Sequence, residues 1–266
     1  STKNAAIYGD VQNIANVEGA PLVEEEYPDI TFLEKPSHYQ FFPRNDQTNS
    51  APIRISGSIN TPGWDSVVLQ TLKNDTVSER TSYPLAYSGT TAKFEFNSTI
   101  TATPTLFTYR VYVHKGEKRI MIGESADLSC GDVYLISGQS NSHPASDSST
   151  YVNPLLKSWG VLNQNGNLLP YNVIDSSWGM ANGHGFNYFF HAACGPYMTC
   201  EWGIELQRLI LEKYRIPTCI INVGAGSSSV YQNLRDDSSR MNLNTIYGRG
   251  LYRATKAKVD KGIKGI

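Results

Sequence analysis

Between residues 36 and 129, apolar and polar side chains alternate with period 2 in several short runs. Ile53-Arg54-Ile55-Ser56-Gly57-Ser58-Ile59, Lys93-Phe94-Glu95-Phe96 and Phe107-Thr108-Tyr109-Arg110-Val111-Tyr112-Val113 each put their apolar side chains on one face of an extended chain. Val67-Val68-Leu69 and Arg119-Ile120-Met121-Ile122 are shorter runs of the same kind, and turn-forming clusters lie between them at Asn60 to Gly63, Lys73-Asn74-Asp75, Ser88-Gly89 and Lys115-Gly116-Glu117. Short strands at this spacing, without a helical period, predict an immunoglobulin- or fibronectin-like β-sandwich over 36–130. Residues 1–35 carry the acidic run Glu24-Glu25-Glu26 between Pro21 and Pro28 and read as an irregular lead-in.

The pattern changes at residue 131. Val133-Tyr134-Leu135-Ile136 is continuously apolar, as a strand covered on both faces requires. A polar, glycine-rich stretch runs to about 198. Trp202, Leu206, Leu209 and Ile210 then recur at helical spacing, and Pro217 marks the end of that helix. Cys219-Ile220-Ile221-Asn222-Val223 reads as a second buried strand, closed by Gly224-Ala225-Gly226. Tyr247, Leu251 and Ala254 mark a second helix, and Gly262 to Ile266 opens a third strand. Strand, helix, strand, helix, strand predicts a doubly wound α/β sheet over 131–266.

Composition narrows the function classes. The 266 residues carry 23 Lys and Arg against 24 Asp and Glu, a net charge of −1, which argues against electrostatic nucleic-acid binding. Charged residues make up only 18%, below the usual quarter, and polarity comes from Ser, Thr, Asn and Tyr, a mixture that suits a secreted or periplasmic protein. No run approaches the roughly 18 apolar residues of a membrane span. Four cysteines allow three pairings and show no zinc-ligand spacing, so no metal and no cofactor are expected. Cys194 and Cys200 flank Gly195-Pro196 and suit a local disulfide; buried free thiols are the other reading.

Candidate chemistry sits where the first buried strand ends, at Ser137-Gly138-Gln139-Ser140-Asn141-Ser142. Ligands of open α/β sheets bind beyond the carboxyl ends of the strands, so Ser140 stands where a nucleophile is useful. The segment is not the G-x-S-x-G elbow, because Ser142 occupies the second glycine position. Gly-x-Ser on residue types alone is a weak signal, and a serine capping the next turn is the plainer reading.

The eleven residues Gly131-Asp132-Val133-Tyr134-Leu135-Ile136-Ser137-Gly138-Gln139-Ser140-Asn141 resemble the first block of the SGNH hydrolases, in particular the sialate O-acetylesterase-like and acetylxylan-esterase-like branch. Glu201-Trp202-Gly203-Ile204-Glu205-Leu206 resembles a helix of that branch, and Ile220 to Ser228 its second strand and glycine block. The resemblance implies a flavodoxin-like α/β hydrolase domain in strand order 2-1-3-4-5. It implies an activity that removes acetyl groups from a carbohydrate such as sialic acid or xylan. Ser140 would be the nucleophile, and its own N–H would form an oxyanion hole with the Gly224-Ala225-Gly226 turn, chiefly Gly226. Gln139, Asn141, Ser227, Trp178 and His184 are the expected substrate contacts. The excursion's aromatics, including Trp159, Trp178 and Tyr188, suit sugar rings as well as ordinary loop packing.

The sequence also departs from that branch. No D-x-x-H segment, the source of its base histidine and orienting carboxylate, occurs in the 266 residues. Residues 131–266 are expected to be the front part of the domain, with the base, the acid and the remaining strands supplied beyond residue 266 as a continuation or a bound fragment. Two other readings stay open: a non-catalytic carbohydrate-binding or surface protein on the same scaffold, and a general esterase.

Overall fold

The computed structural model describes residues 27–142, 149–160, 177–183 and 197–266. Strands dominate, helices are few, and the larger sheet is mixed. The first part of the chain forms β1 (Ile30–Glu34), β2 (Phe41–Pro43), β3 (Ser50–Ile59), β4 (Ser66–Lys73), β5 (Thr76–Pro84), β6 (Tyr87–Ser88), β7 (Thr91–Thr101) and β8 (Phe107–Lys115). A long strand, β9 (Lys118–Ile136), follows, then β10 (Lys157–Trp159), β11 (Trp178–Met180), α1 (Glu201–Tyr214), β12 (Thr218–Asn222), α2 (Val230–Asn233), α3 (Ile246–Lys256) and β13 (Ile263–Gly265).

A four-stranded sheet runs in the order β1-β3-β7-β6, and a nine-stranded sheet follows the path β11-β10-β12-β9-β8-β4-β5, with β13 and β2 also paired to β9. The alternation read in the sequence explains the first layer of packing. Ile53, Ile55 and Ile59 of β3 and Phe94 and Phe96 of β7 share one buried cluster with Val67 and Leu69 of β4 and with Phe107, Tyr109, Val111 and Val113 of β8. Strands also form where none was expected, β10 and β11 within the polar, glycine-rich stretch among them. Ile30–Glu34, inside the presumed irregular lead-in, pairs antiparallel with β3. β5 is exposed at every position, so no buried face imposed an apolar period on Thr76-Val77-Ser78-Glu79-Arg80-Thr81-Ser82-Tyr83, and its hairpin with β4 rests on backbone pairing.

β9 joins the two regions. Its first half pairs antiparallel with β8; its last residues pair parallel with β12, from Thr218 opposite Asp132 to Asn222 opposite Ile136. The residue 130/131 boundary therefore falls inside one continuous strand. β13 pairs parallel with β9 on its other side, so the three strands read from the sequence of 131–266 lie in the order second, first, third, with β10 parallel to β12 and β2 parallel to the earlier part of β9. Alternate residues of β9 face opposite layers. Val133 and Leu135 pack with Ile221, Val223 and the α3 residues Ile246 and Ala254, whereas Tyr134 and Ile136 pack with Ile220, Cys200 and Leu206 of α1. Both faces are covered, as the apolar run required.

The inward faces of the helices were only partly legible. α1 buries Gly203, Ile204, Gln207 and Leu211, while Trp202 and Leu209 are about half exposed. Gln207 takes an inward position because its amide donates to the Lys157 carbonyl at 3.3 Å and the Thr218 carbonyl at 3.0 Å. Gly203 sits over β9, where a Cβ would come within 2.9 Å of Ile136. α3 likewise turns Arg249 and Arg253 inward. Arg253, 2% exposed, donates to the carbonyls of Asn222 and Trp159 and so ties together the carboxyl ends of β12 and β10.

Lys157 is fully buried at the start of β10. Its ammonium donates to the Pro154 carbonyl and lies 4.9 Å from the centre of the Tyr39 ring. Burial pulls it down from the usual 10.5 to about 8, against the opposing pull of Asp127. Between those two values the unfolded chain binds a proton that the folded chain does not, so stability should fall as pH drops from about 10.5 to about 8 and level off below. The full span corresponds to on the order of 3 kcal/mol. Denaturant titrations from pH 7 to 10 should show this slope in the wild type and its loss in Lys157→Met; equal slopes in the two proteins would contradict the assignment.

Candidate functional site

The last ladder bonds of the parallel strands continue past their ends. The Val223 N–H donates to the Ile136 carbonyl, and the Ala225 N–H to the Gly138 carbonyl, each at 2.9 Å. The two glycine-bearing loops therefore leave the sheet side by side. From Gly138, at φ 133°, the chain turns into a short 3-10 segment, Ser140–Ser142, closed by the Ser142 N–H on the Gln139 carbonyl at 2.8 Å. A side chain at Gly138 would meet the Ser142 hydroxyl at 2.6 Å, and one at Gly224 would meet the Ser142 carbonyl oxygen at 2.3 Å. Both glycines are thus needed for close approach.

The Gln139-Ser140-Asn141 turn and the Ala225-Gly226-Ser227 turn thus leave neighbouring strands at their carboxyl ends, linked through the Gly138 carbonyl. Gln139, Ser140, Asn141, Gly226 and Ser227 are all exposed. A side chain on Gly226 would meet nothing within 4 Å, so its backbone borders open space. Gly224 differs from expectation: its N–H donates to the Asn222 side chain at 2.8 Å, inside a buried turn, and so is spent on the fold rather than aimed at a ligand. Ser227 adopts φ 60°, an unusual conformation for a serine.

Trp178 is not part of this cluster. It lies on β11, paired with Trp159, and is 8% exposed within the core. It lines a recess of about 410 Å³ with Tyr39, Met180, Asn182 and Tyr197. Three inter-strand steps separate β11 from β9, roughly 14 Å at the usual sheet spacing. His184, His143, His191 and Cys194 lie outside the described residues, so the expected His184 contact and the Cys194–Cys200 pairing do too. Among the described residues, His38 accepts the Ala126 N–H and His114 lies on β8, both toward the β8 half of β9 rather than at Ser140.

Other side chains on the strands and helix that lead to this site take roles that hydropathy spacing did not assign. The Trp202 indole N–H donates to the Asn141 carbonyl at 2.8 Å and braces the turn next to Ser140. Asp132, within the eleven-residue block, accepts both ends of the Arg44 guanidinium at 2.7 and 3.1 Å and anchors the β2 segment to β9. Cys130 and Cys219 are buried thiols; burial pushes Cys130 up to about 12 and Cys219 further in the same direction, which removes both as nucleophiles. Among the described residues no cluster of three His, Cys, Asp or Glu could hold a metal ion, and no helix is long and apolar enough to cross a membrane.

No protein-family model matches the chain, and no curated protein matches it. Among solved structures it is similar to a carbohydrate acetylesterase from Xanthomonas citri, at 16% identity and a TM-score of 0.40, over 86% of this chain and 48% of that one. A second likeness is to the MHC-like MILL2, at 13% identity and a TM-score of 0.23, over 36% of this chain and 39% of that one. The chain thus spans about half the length of the acetylesterase. Likeness at these levels bears on neither activity nor substrate.

Proposed function

We propose that the chain belongs to a serine ester hydrolase that removes acetyl groups from carbohydrate. On this reading a β-sandwich leads through β9 into an SGNH-type α/β domain. The observation that carries the reading is the meeting of two loops. The eleven-residue block carries an exposed Ser140 just past the carboxyl end of β9, and its loop is tied, through the Gly138 carbonyl and the Ala225 N–H, to the loop that carries Gly226 past the carboxyl end of β12. In the proposed reaction the Ser140 hydroxyl oxygen bonds to the acetyl carbonyl carbon. The ester C–O bond then breaks, the sugar hydroxyl leaves with a proton, and water clears the acyl-enzyme as acetate. The Ser140 and Gly226 N–H groups would hold the negative charge that develops on the carbonyl oxygen, each contributing on the order of 10²–10³ in rate.

The general base is assigned to no residue described above. The resemblance places it in a D-x-x-H segment, which residues 1–266 do not contain. A composition low in charge and rich in Ser, Thr, Asn and Tyr is the support for a secreted or periplasmic setting. The proposal is tested by treating the complete protein with a fluorophosphonate probe, mapping the adduct by peptide mass spectrometry, and following acetate release from acetylated xylan and O-acetyl sialic acid. An adduct on Ser140 with acetate release is expected. An adduct elsewhere refutes the nucleophile. Binding of these carbohydrates without adduct or release would identify a non-catalytic binding protein instead.

A further inference from the structure

We propose that Asn233 is a positioning residue that locks the turn carrying Ser140 to the turn carrying Gly226; the catalytic meaning of this lock rests on the function proposed above. A closed circuit of hydrogen bonds joins the two turns. The Ser137 hydroxyl donates to the Asn233 side-chain oxygen at 3.2 Å. The Asn233 amide nitrogen donates to the Ser228 hydroxyl at 3.1 Å and to the Ser229 carbonyl at 2.9 Å. The Ser228 hydroxyl in turn donates to the Gly138 carbonyl at 3.3 Å, returning to the residue next to Ser137.

The direction of each bond is fixed by chemistry. The Ser229 carbonyl can only accept, so the amide nitrogen faces it and the side-chain oxygen faces Ser137. Because Ser228 accepts from Asn233, its own proton is directed to the Gly138 carbonyl. That carbonyl also accepts the Ala225 N–H at 2.9 Å. The arc Gly226-Ser227 is therefore anchored at both ends to one atom of the other loop. Asn233 is itself held at the end of α2, whose start is closed by a reciprocal pair: the Ser229 N–H donates to the Gln232 side chain at 2.7 Å, and the Gln232 N–H to the Ser229 hydroxyl at 3.4 Å.

An oxyanion hole drawn from two loops works only if their separation is held to within about 0.5 Å. Asn233, 96 residues from Ser137, supplies the side-chain half of that restraint and touches neither Ser140 nor Gly226 through any of these bonds.

Asn233→Asp tests the lock with almost no change of shape. A carboxylate cannot donate to Ser228, is repelled by the Ser229 carbonyl, and draws the Ser228 proton away from Gly138. Ser228→Ala cuts the same circuit at another point. Both variants should keep the thermal midpoint and the probe's binding constant. They should slow Ser140 phosphonylation about 10- to 100-fold and speed hydrogen exchange at the Ala225 amide. The double variant should be no slower than either single one, because one circuit is broken once. Wild-type labelling and Ala225 exchange rates in both variants overturn the lock and leave the proposed function standing. If the wild type itself is not labelled at Ser140, the proposed function fails, and Ala225 exchange alone decides the lock: faster exchange in the variants supports it, and unchanged exchange overturns it.

Discussion

Ser140→Ala is expected to lower acetate release by on the order of 10⁴-fold or more, since an acyl-enzyme route has no substitute for its nucleophile. The change should leave the fold intact. The Ser140–Ser142 turn is held by the Ser142 N–H on Gln139, by the Trp202 indole on Asn141 and by the close backing of Gly224. None of these uses the Ser140 hydroxyl, which lies on an exposed residue. Thermal stability should therefore stay within about 0.5 kcal/mol of wild type, the usual range for a surface substitution away from such features. Rate and unfolding midpoint measured on the same preparation separate lost chemistry from lost structure. A folded variant that keeps its rate would remove Ser140 from the mechanism.

Gly131→Ala should have the largest effect on stability. A Cβ there would stand 1.8 Å from the Pro217 carbonyl oxygen and 2.8 Å from its carbon. That oxygen accepts the Asp132 N–H at 3.1 Å, the bond that begins the pairing of β9 with β12. The obstacle is backbone at the start of a ladder, so relief requires prising apart the amino-terminal end of the β9–β12 ladder, whose carboxyl end leads into both proposed catalytic loops. Overpacking of this kind plus one lost hydrogen bond costs about 3–4 kcal/mol, a large share of the roughly 5–15 kcal/mol that holds a domain together. Gly226→Ala is the matched control, because a Cβ there meets nothing within 4 Å. Urea denaturation should show a much lower midpoint for Gly131→Ala and a nearly unchanged one for Gly226→Ala. Equal midpoints would refute this account of the strand junction.

The helices show where local pattern stopped being informative. Spacing alone selected Trp202, Leu206, Leu209 and Ile210 as the inward face of α1, yet Gln207 points inward and Trp202 and Leu209 stay about half exposed. Sheet carbonyls beneath the helix needed a donor, and a glutamine amide reached them; hydropathy assigns no value to that need. Arg253 escaped notice in the same way, since an arginine reads as surface until two backbone carbonyls are found at its guanidinium. β5 was missed for a related reason: both its faces meet water, so nothing in its composition had to alternate.

Sequence alone determined what depends on neighbours along the chain. Period-2 runs marked β3, β7 and β8, the continuous apolar run marked the buried end of β9, and Ser140 and Gly226 each followed directly from the end of a strand. Tertiary structure decided what depends on groups far apart in the chain. It joined residues 118–136 into one strand across the expected boundary, spent the Gly224 N–H on Asn222, and placed Trp178 in the core, three strands from Ser140. It also closed the Ser137–Asn233–Ser228 circuit between residues 96 positions apart in the chain. The physical reason is that solvent exclusion acts on local apolar patterns and leaves a period in the sequence, whereas a buried polar group takes whichever partner the fold brings within about 3 Å.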